Sequence, residues 1–550
     1  MKDQRKGIQT FGKAVKTPAF VGSLIIAGIF LIFGTIWNST FSKYVNITYD
    51  WIVANLGWSF ILGATAFLIV AIYLMISPLG EIKLGDDDEN PAYSTPAWFA
   101  MLFSAGMGIG LLFWGVSEPV SHFMTPPVGD AETAGAVHTA MQYSFFHWGL
   151  HPWAIYAVVA AALAYFSYRK NLPMLLSSTL EPLLGRDNLF GFWGNTVNII
   201  GVISTLFGIS TSLGLGVMQI GGGFEILFGI PNNTGLWLII IVVITGLAII
   251  STTSGIDKGI KWLSQGNLGV AGLLMLFVLV LGPTLFILEL FTHSTGSYIQ
   301  NFFNMSLGMD AAGEHAEDWY DGWTIFYWAW WIAWAPFVGS FIARVSRGRT
   351  IRSFTVGVLL VPTAVSMVWF SIFGGAGLFN QFLGDGGIYN AMLNQDGTID
   401  EAKGFFAMLE MFPFSEVLIV IAMISLTIFF ITSSDSGTYV IGMFTSRGNE
   451  NPPLGLRIIW GLIEGGFAAV LLMAGGLAAL QTASIIGGFP FMIIMFIMIY
   501  CLIWSLRKEV RDGSLPQERA RIYAALEDLR EEKKIRKGII QEQNPNNKDQ

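Results

Sequence analysis

The chain has 550 residues, of which 53% are hydrophobic and only 12% charged, and its mean hydropathy is +0.58. That balance excludes a soluble globular domain. The formal net charge of −8 says little about partners, because the acidic residues gather in loops and tail, and the single Cys501 rules out an intramolecular disulfide framework. Apolar runs of about twenty residues recur along the whole chain, each long enough to cross a bilayer. About twelve such runs begin near Pro18, Trp58, Thr95, Phe145, Trp193, Leu236, Leu268, Trp323, Phe354, Phe414, Leu456 and Ile485. The fold class expected is an all-α polytopic membrane protein. The first run is of span length and lacks a convincing small-residue cleavage site, so no cleavable signal peptide is expected.

Basic residues set the orientation. Lys2, Arg5, Lys6, Lys13 and Lys16 precede the first span, and Arg169, Lys170 and Arg186 follow the fourth. Lys258 and Lys261 follow the sixth, Arg344, Arg347, Arg349 and Arg352 the eighth. Arg447 and Arg457 flank the loop after the tenth, and Arg507, Lys508 and Arg511 open the tail, whereas the connections 117–137, 220–235 and 291–322 lack Lys and Arg. This positive-inside pattern places both termini in the cytoplasm. The acidic connection Asp86–Glu89 is the exception, and acidic residues weigh little in that rule.

The two leading spans, within 18–94, carry few polar residues and read as scaffold. The third span contains Ser104, Gly106, Met107, Gly108 and Gly110 in the run SAGMGIG. Each glycine costs about 1 kcal/mol of helix propensity relative to alanine. Gly106 and Gly110 fit close helix packing, but Gly108 lies on the opposite face, so a local unwinding that frees backbone N–H and C=O groups fits all three better. In the fourth span, FHWGLHPWAIY, Pro152 cannot donate to the carbonyl of Trp148, so a bend is expected there. Trp153 and Tyr156 lie one turn apart. His147 and His151 have the four-residue spacing of a metal pair, but with no acidic or Cys partner nearby, hydrogen bonding is the better reading. Ser204, Thr205, Ser210, Thr211 and Ser212 in the fifth span read as helix glue, with alkali-cation ligation as the alternative.

Ser297 to Leu307, in the 291–322 connection, has an amphipathic pattern suited to the outer interface. The eighth span, Trp323 to Arg349, holds Trp328, Trp330, Trp331 and Trp334 within two turns, ahead of a basic cap. Tyr327, Trp331 and Trp334 share one face; Trp330, Trp334 and Phe337 form an overlapping one. Membrane tryptophans normally gather at the two interfaces. A cluster reaching mid-span suits capture of a cation with no exchangeable proton, above all a quaternary ammonium. In the tenth span, Phe429 to Ser436 presents Thr432 and Ser433 as the deepest hard oxygens. The tail, 507–550, is highly charged. Within it, Pro516 to Lys537 reads as an amphipathic helix for anionic lipid or a neighbouring subunit.

Together SAGMGIG, FHWGLHPWAIY, WTIFYWAWWIAWAPFVG with ARVSRGRTIR, and FFITSSDSGTYV resemble the betaine/choline/carnitine transporters over roughly residues 15–510. The resemblance implies a sodium-symporter-type fold: two leading helices, then inverted five-helix repeats over 95–290 and 323–506, assembled as homotrimers in the cell membrane. It maps an aromatic box onto Trp148, Trp153, Tyr156 and Trp331, with Trp330 and Trp334 lining the path towards the cytoplasm. It implies a sodium held by the backbone of Ser104 and Met107, the Phe429 carbonyl, and the Thr432 and Ser433 hydroxyls. A second sodium region involves Thr205 and Phe337, although Ile209 stands where a further hydroxyl is expected. The substrate carboxylate is expected at N–H groups near Gly106 to Gly110. No cofactor is implied beyond sodium as coupling ion, and no nucleic-acid partner. The expected activity is sodium-driven uptake of a zwitterionic compatible solute, glycine betaine first, for osmoprotection. Sodium-independent carnitine exchange, and uptake of ectoine or choline, are the alternatives. An enzyme built on His147 and His151 is disfavoured for want of a nucleophile–base set.

Overall fold

The structure, a computed structural model, describes residues 11–106, 108–253, 257–309, 319–394 and 397–512. The tail segment Pro516 to Lys537 lies outside the described residues. Thr17 starts the membrane domain by accepting a hydrogen bond from the Phe20 amide at 3.2 Å, with Pro18 in the first turn, where a missing N–H costs nothing. The long helices are α1 (Pro18–Ile36), α2 (Asn38–Ile76), α3 (Thr95–Gly106), α4 (Ile109–Met124), α5 (Ala134–Trp148), α6 (Leu150–Ala164), α7 (Phe192–Phe228) and α8 (Thr234–Thr253). There follow α9 (Asp257–Leu281), α10 (Thr284–Ser306), α11 (Phe326–Val345), α12 (Ile351–Leu383), α13 (Ser415–Thr445), α14 (Leu454–Gly475) and α15 (Leu477–Arg511).

Among the described residues, ten helical segments are long and apolar enough to cross a membrane, and the bent pair α9–α10 brings the number to eleven. The third span completes the set in two halves, α3 and α4, each too short to cross alone. The fourth is interrupted at Gly149, three residues before Pro152, where the expected bend falls. The chain turns by 107° between α9 and α10. Helix α10 buries Ile287, Leu290 and Tyr298 while Leu285, Ile299 and Phe303 stay exposed, so the amphipathic segment begins at Thr284, ahead of the Ser297 expected.

Spans three to seven and eight to twelve pack alike. Helix α4 packs on α12 as α11 packs on α6; α7 packs on α15 as α13 packs on α9; and α8 packs on α13 as α14 packs on α7. The pairs α7–α13, α6–α12 and α8–α14 map onto themselves under the same exchange. Five is odd, so a second set of five spans enters the bilayer from the opposite side, and the repeats are inverted. The fourth and eighth spans are the innermost, each 94% buried over its most apolar window, against 28% for α1.

The face carrying the basic caps also explains the acidic connection. Arg169 reaches Asp87 at 2.5 Å, the Gly85 carbonyl at 3.0 Å and Glu509 at 2.6 Å. Lys170 joins Glu509 at 2.6 Å, Arg347 pairs with Glu89 at 2.5 Å, and Arg352 with Glu81 at 3.2 Å. Backbone bonds from Leu84 to the Arg349 carbonyl and from Gly348 to the Leu84 carbonyl, both 2.8 Å, close the clasp. Three of the five carboxylates at 81–89, those of Glu81, Asp87 and Glu89, are thus paired with arginines from the ends of other spans.

Candidate functional site

The break in the third span creates the site. Helix α4 begins at Ile109, so the amides of its first turn have no partners within the helix, and their dipoles favour negative charge in front of them. They face a narrow cavity lined by Gly108, Ile109 and Gly110, by Trp148 of α5 and Ser212 of α7, by Trp330, Trp331 and Trp334 of α11, and by Ser433 of α13. A Cβ at Gly110 would lie 2.8 Å from the rings of both Trp148 and Trp330, so only glycine admits two indoles this close to the broken helix.

The rings brace one another. Trp148 meets Trp331 edge-on with centroids 4.9 Å apart, Trp330 stacks on Trp331 at 5.2 Å, and Trp334 meets Trp330 at 6.4 Å. Tyr156 stands edge-on to Trp331 at 5.7 Å, and Trp153 stands behind Tyr156 at 5.6 Å, so both of these expected box residues lie outside the lining. Trp330 and Trp334, expected on the path towards the cytoplasm, line the cavity itself. Trp334 also touches Phe337 at 5.5 Å, and Phe337 lines a wider vestibule with Phe341, Arg344, Asp435, Tyr439 and Arg457 on the basic face.

Of the cation ligands expected, Gly108 packs on the Phe429 ring, a Cβ there falling 3.3 Å from it, and Ser433 reaches the cavity. The Thr432 hydroxyl lies 3.0 Å from the Ile428 carbonyl and 3.2 Å from that of Phe429. Met107 and the side chain of Ser104 lie outside the described residues, and Gly106 is the last residue of α3. The Thr205 hydroxyl donates to the Gly201 carbonyl of its own helix at 2.7 Å, while Ile209 packs against Gly437. The other hydroxyls of α7 act largely as glue: Ser204 bonds the Ala333 carbonyl at 3.4 Å, and Thr211 bonds the Leu480 carbonyl at 3.0 Å and Ser484 at 2.9 Å.

One residue of the site escaped the sequence reading. By sequence Glu118 falls in the connection 117–137, but α4 continues to Met124 and the carboxylate is fully buried. Its Oε1 lies 2.8 Å from His147 Nδ1, and its Oε2 accepts from Trp148 Nε1 at 2.8 Å and from the Tyr327 hydroxyl at 2.5 Å. His147 therefore does have an acidic partner, contrary to expectation, and its other ring nitrogen lies 2.9 Å from Thr324 Oγ1. Its backbone carbonyl accepts from Trp331 Nε1 at 3.1 Å. Glu118, His122 and His147 bring three possible ligand atoms within 4.8 Å, but the carboxylate is already engaged by three donors. His151 turns away and stacks on Trp328 at 5.2 Å. Glu118 thus fixes the Trp148 indole of the cavity from behind. The signal available was an acid a little over two turns beyond the glycine run, inside an apolar stretch.

The chain is 46% identical over 496 residues to the glycine betaine transporter OpuD of Bacillus subtilis (strain 168), covering 89% of this chain and 94% of that one. It is 42% identical to a probable glycine betaine transporter of Desulfitobacterium hafniense (strain Y51), covering 90% and 98%. It is 40% identical to an ectoine/hydroxyectoine transporter of Virgibacillus pantothenticus, covering 92% and 99%. The profile of the betaine/carnitine/choline family of transporters matches residues 18–511, which takes in every helix that builds the cavity, and the chain belongs to that family of multi-pass membrane transporters.

Proposed function

We propose that the protein carries glycine betaine into the cell by sodium symport, as an osmoprotectant. The observation that carries this reading is the cavity in which Trp148, Trp330, Trp331 and Trp334 meet the open N-terminus of α4. Ring faces attract a trimethylammonium, with desolvated contacts of about 2 kcal/mol each. Unpaired amides and a helix N-terminus attract the carboxylate. The two ends of one zwitterion thus find opposite partners across one small space. The oxygens of Glu118 are engaged by His147, Trp148 and Tyr327, so no free anion replaces the carboxylate that choline lacks.

Sodium is assigned to the junction of the third and tenth spans, at the Phe429 carbonyl and the Thr432 and Ser433 hydroxyls, with the backbone of Ser104 and Met107. Cation binding there holds the break open for substrate and couples the two solutes. The Thr205–Phe337 region is the weaker second position, since Ile209 stands where a further hydroxyl would be needed. A homotrimer in the cell membrane, with cytoplasmic termini on the basic face, completes the proposal.

Uptake of radiolabelled glycine betaine into proteoliposomes, with and without an inward sodium gradient, tests it. Sodium-driven accumulation is expected, and Trp331→Leu is expected to raise KM by roughly 30-fold, the loss of about 2 kcal/mol. Unaltered uptake by Trp331→Leu would displace the box. Ectoine uptake without betaine uptake would favour the second reading, which the relative from Virgibacillus pantothenticus motivates.

A further inference from the structure

Glu464 lies midway along α14 and is fully buried. Its Oε2 accepts from Ser434 Oγ of α13 at 3.0 Å, while Oε1 meets no donor among the described residues. Its backbone carbonyl accepts from Ser210 Oγ of α7 at 3.2 Å. Gly437 places no side chain beside Oε1: a Cβ there would stand 3.1 Å from that oxygen and would clash with Ile209 Cδ1, which packs against the same glycine.

The ionisable neighbours do not supply a counter-charge. Arg457, two turns earlier on the same helix, is bound to Asp435 at 2.6 Å, and Thr252 donates to the same carboxylate oxygen at 2.6 Å. Helices α1 and α8, which also pack on α14, carry no ionisable Lys, Arg, His, Asp or Glu; α2 and α15, packed on it too, carry theirs towards one end (Lys43 and Asp50; Arg507, Lys508, Glu509 and Arg511), and the acids of α7 and α13 other than Asp435 lie at their far ends. A carboxylate at mid-membrane depth without a cationic partner is not stable as a bare anion. It calls for one positive charge.

We propose that Glu464, with Ser434 and Ser210, is a site for one monovalent cation, a proton or a sodium ion, that moves with the substrate. The proposal rests on the symport reading above and adds a coupling position to it. Ser434 follows Ser433, and consecutive helical residues point about 100° apart, so one faces the cavity while the other faces Glu464. Helices α7 and α13 are counterparts in the two repeats, so the site lies where the repeats meet and where their relative movement changes ligand distances. Asp435, the residue after Ser434, and Arg457 line the vestibule on the basic face, so the site lies next to residues that face that vestibule.

The test counts charges. Glycine betaine-evoked charge movement in proteoliposomes on a solid-supported membrane is divided by radiolabelled betaine uptake from the same preparation. Glu464→Gln is expected to move one charge fewer per betaine, and Glu464→Asp to keep the count. A matching loss of radioactive sodium uptake assigns sodium; unchanged sodium uptake with loss of the pH dependence of transport assigns the proton. An unaltered charge count with an unaltered pH profile in Glu464→Gln overturns the proposal. If that variant cannot be purified, Ser434→Ala serves. It is expected to shift half-saturation by sodium or protons by about threefold or more, and no shift overturns the proposal equally. Absence of betaine uptake by the unmodified protein strikes the substrate reading instead, and the same charge count is then made with ectoine.

Discussion

The first helices of the two repeats solve opposite halves of one recognition problem. The third span is broken between Gly106 and Ile109 and presents main-chain groups, with glycines where side chains would intrude. The eighth span, its counterpart, runs unbroken from Phe326 to Val345 through Pro336 and presents tryptophans. Unpaired amides suit an anion, and indole faces suit a cation that cannot donate a proton. The difference teaches that an inverted repeat need not repeat its chemistry: the same position in the fold offers backbone in one half and rings in the other.

The tie between these helices is the place to break that comparison. Glu118→Ala leaves the Trp148 N–H, the Tyr327 hydroxyl and His147 without their shared acceptor. Removing one member of a buried charged network costs about 3–5 kcal/mol. A clear fall in melting temperature in detergent, with a raised KM, is expected; an unchanged melting curve would mean that the rings hold themselves. Paired glycine substitutions sharpen the contrast next. Alanine at Gly110 meets two indoles at 2.8 Å, whereas at Gly108 it meets the Phe429 ring at 3.3 Å. Overpacking of the first kind costs about 1–3 kcal/mol, so Gly110→Ala is expected to lose betaine binding, read by tryptophan fluorescence, well before Gly108→Ala does. Equal losses would place the cavity elsewhere.

The smallest effect concerns what buttresses each helix. The short helix Gly404–Leu409 packs on α4, and Glu401 precedes it in the connection from α12. Burial, and secondarily Asp400 beside it, pushes the Glu401 carboxyl up to about 7 from its ordinary 4.5. The folded protein therefore holds this proton more tightly than the unfolded chain. Its stabilising effect is complete below about pH 4.5 and is lost as pH rises through about 7. A decline of roughly 2–4 °C in melting temperature from acid to mildly alkaline pH is expected, flattened in Glu401→Gln. A slope that persists unchanged in the variant would assign it to another group, Asp400 first.

The glycine run and the tryptophan cluster were legible in the sequence because their signals are local. A glycine inside an apolar helix carries a propensity cost where it stands, and tryptophans away from both interfaces violate the usual placement within one span. The count of spans followed from length and hydropathy in the same way. Glu118 was not legible, since its partners His147 and Tyr327 are 29 and 209 residues away and only folding assembles them. Glu464 was hidden for the same reason, its two serine partners lying 30 and 254 residues distant. The hydroxyls of α7 were ambiguous by spacing, and the direction each faces decides its use: Thr205 bonds inward to its own helix, Ser212 looks into the cavity.

The clasp on the basic face has a mechanical consequence. It staples the ends of the second, fourth and twelfth spans to the turn between the eighth and ninth, which makes a rigid frame of those elements. Helices α7, α13 and α14 contribute nothing to it. The seam between frame and remainder runs through the vestibule, where the Arg344 guanidinium lies 4.6 Å above the ring of Tyr439, a contact soft enough to part and re-form. A parting of α11 from α13 at this contact would open the vestibule at Phe337, whose ring touches Trp334 of the cavity.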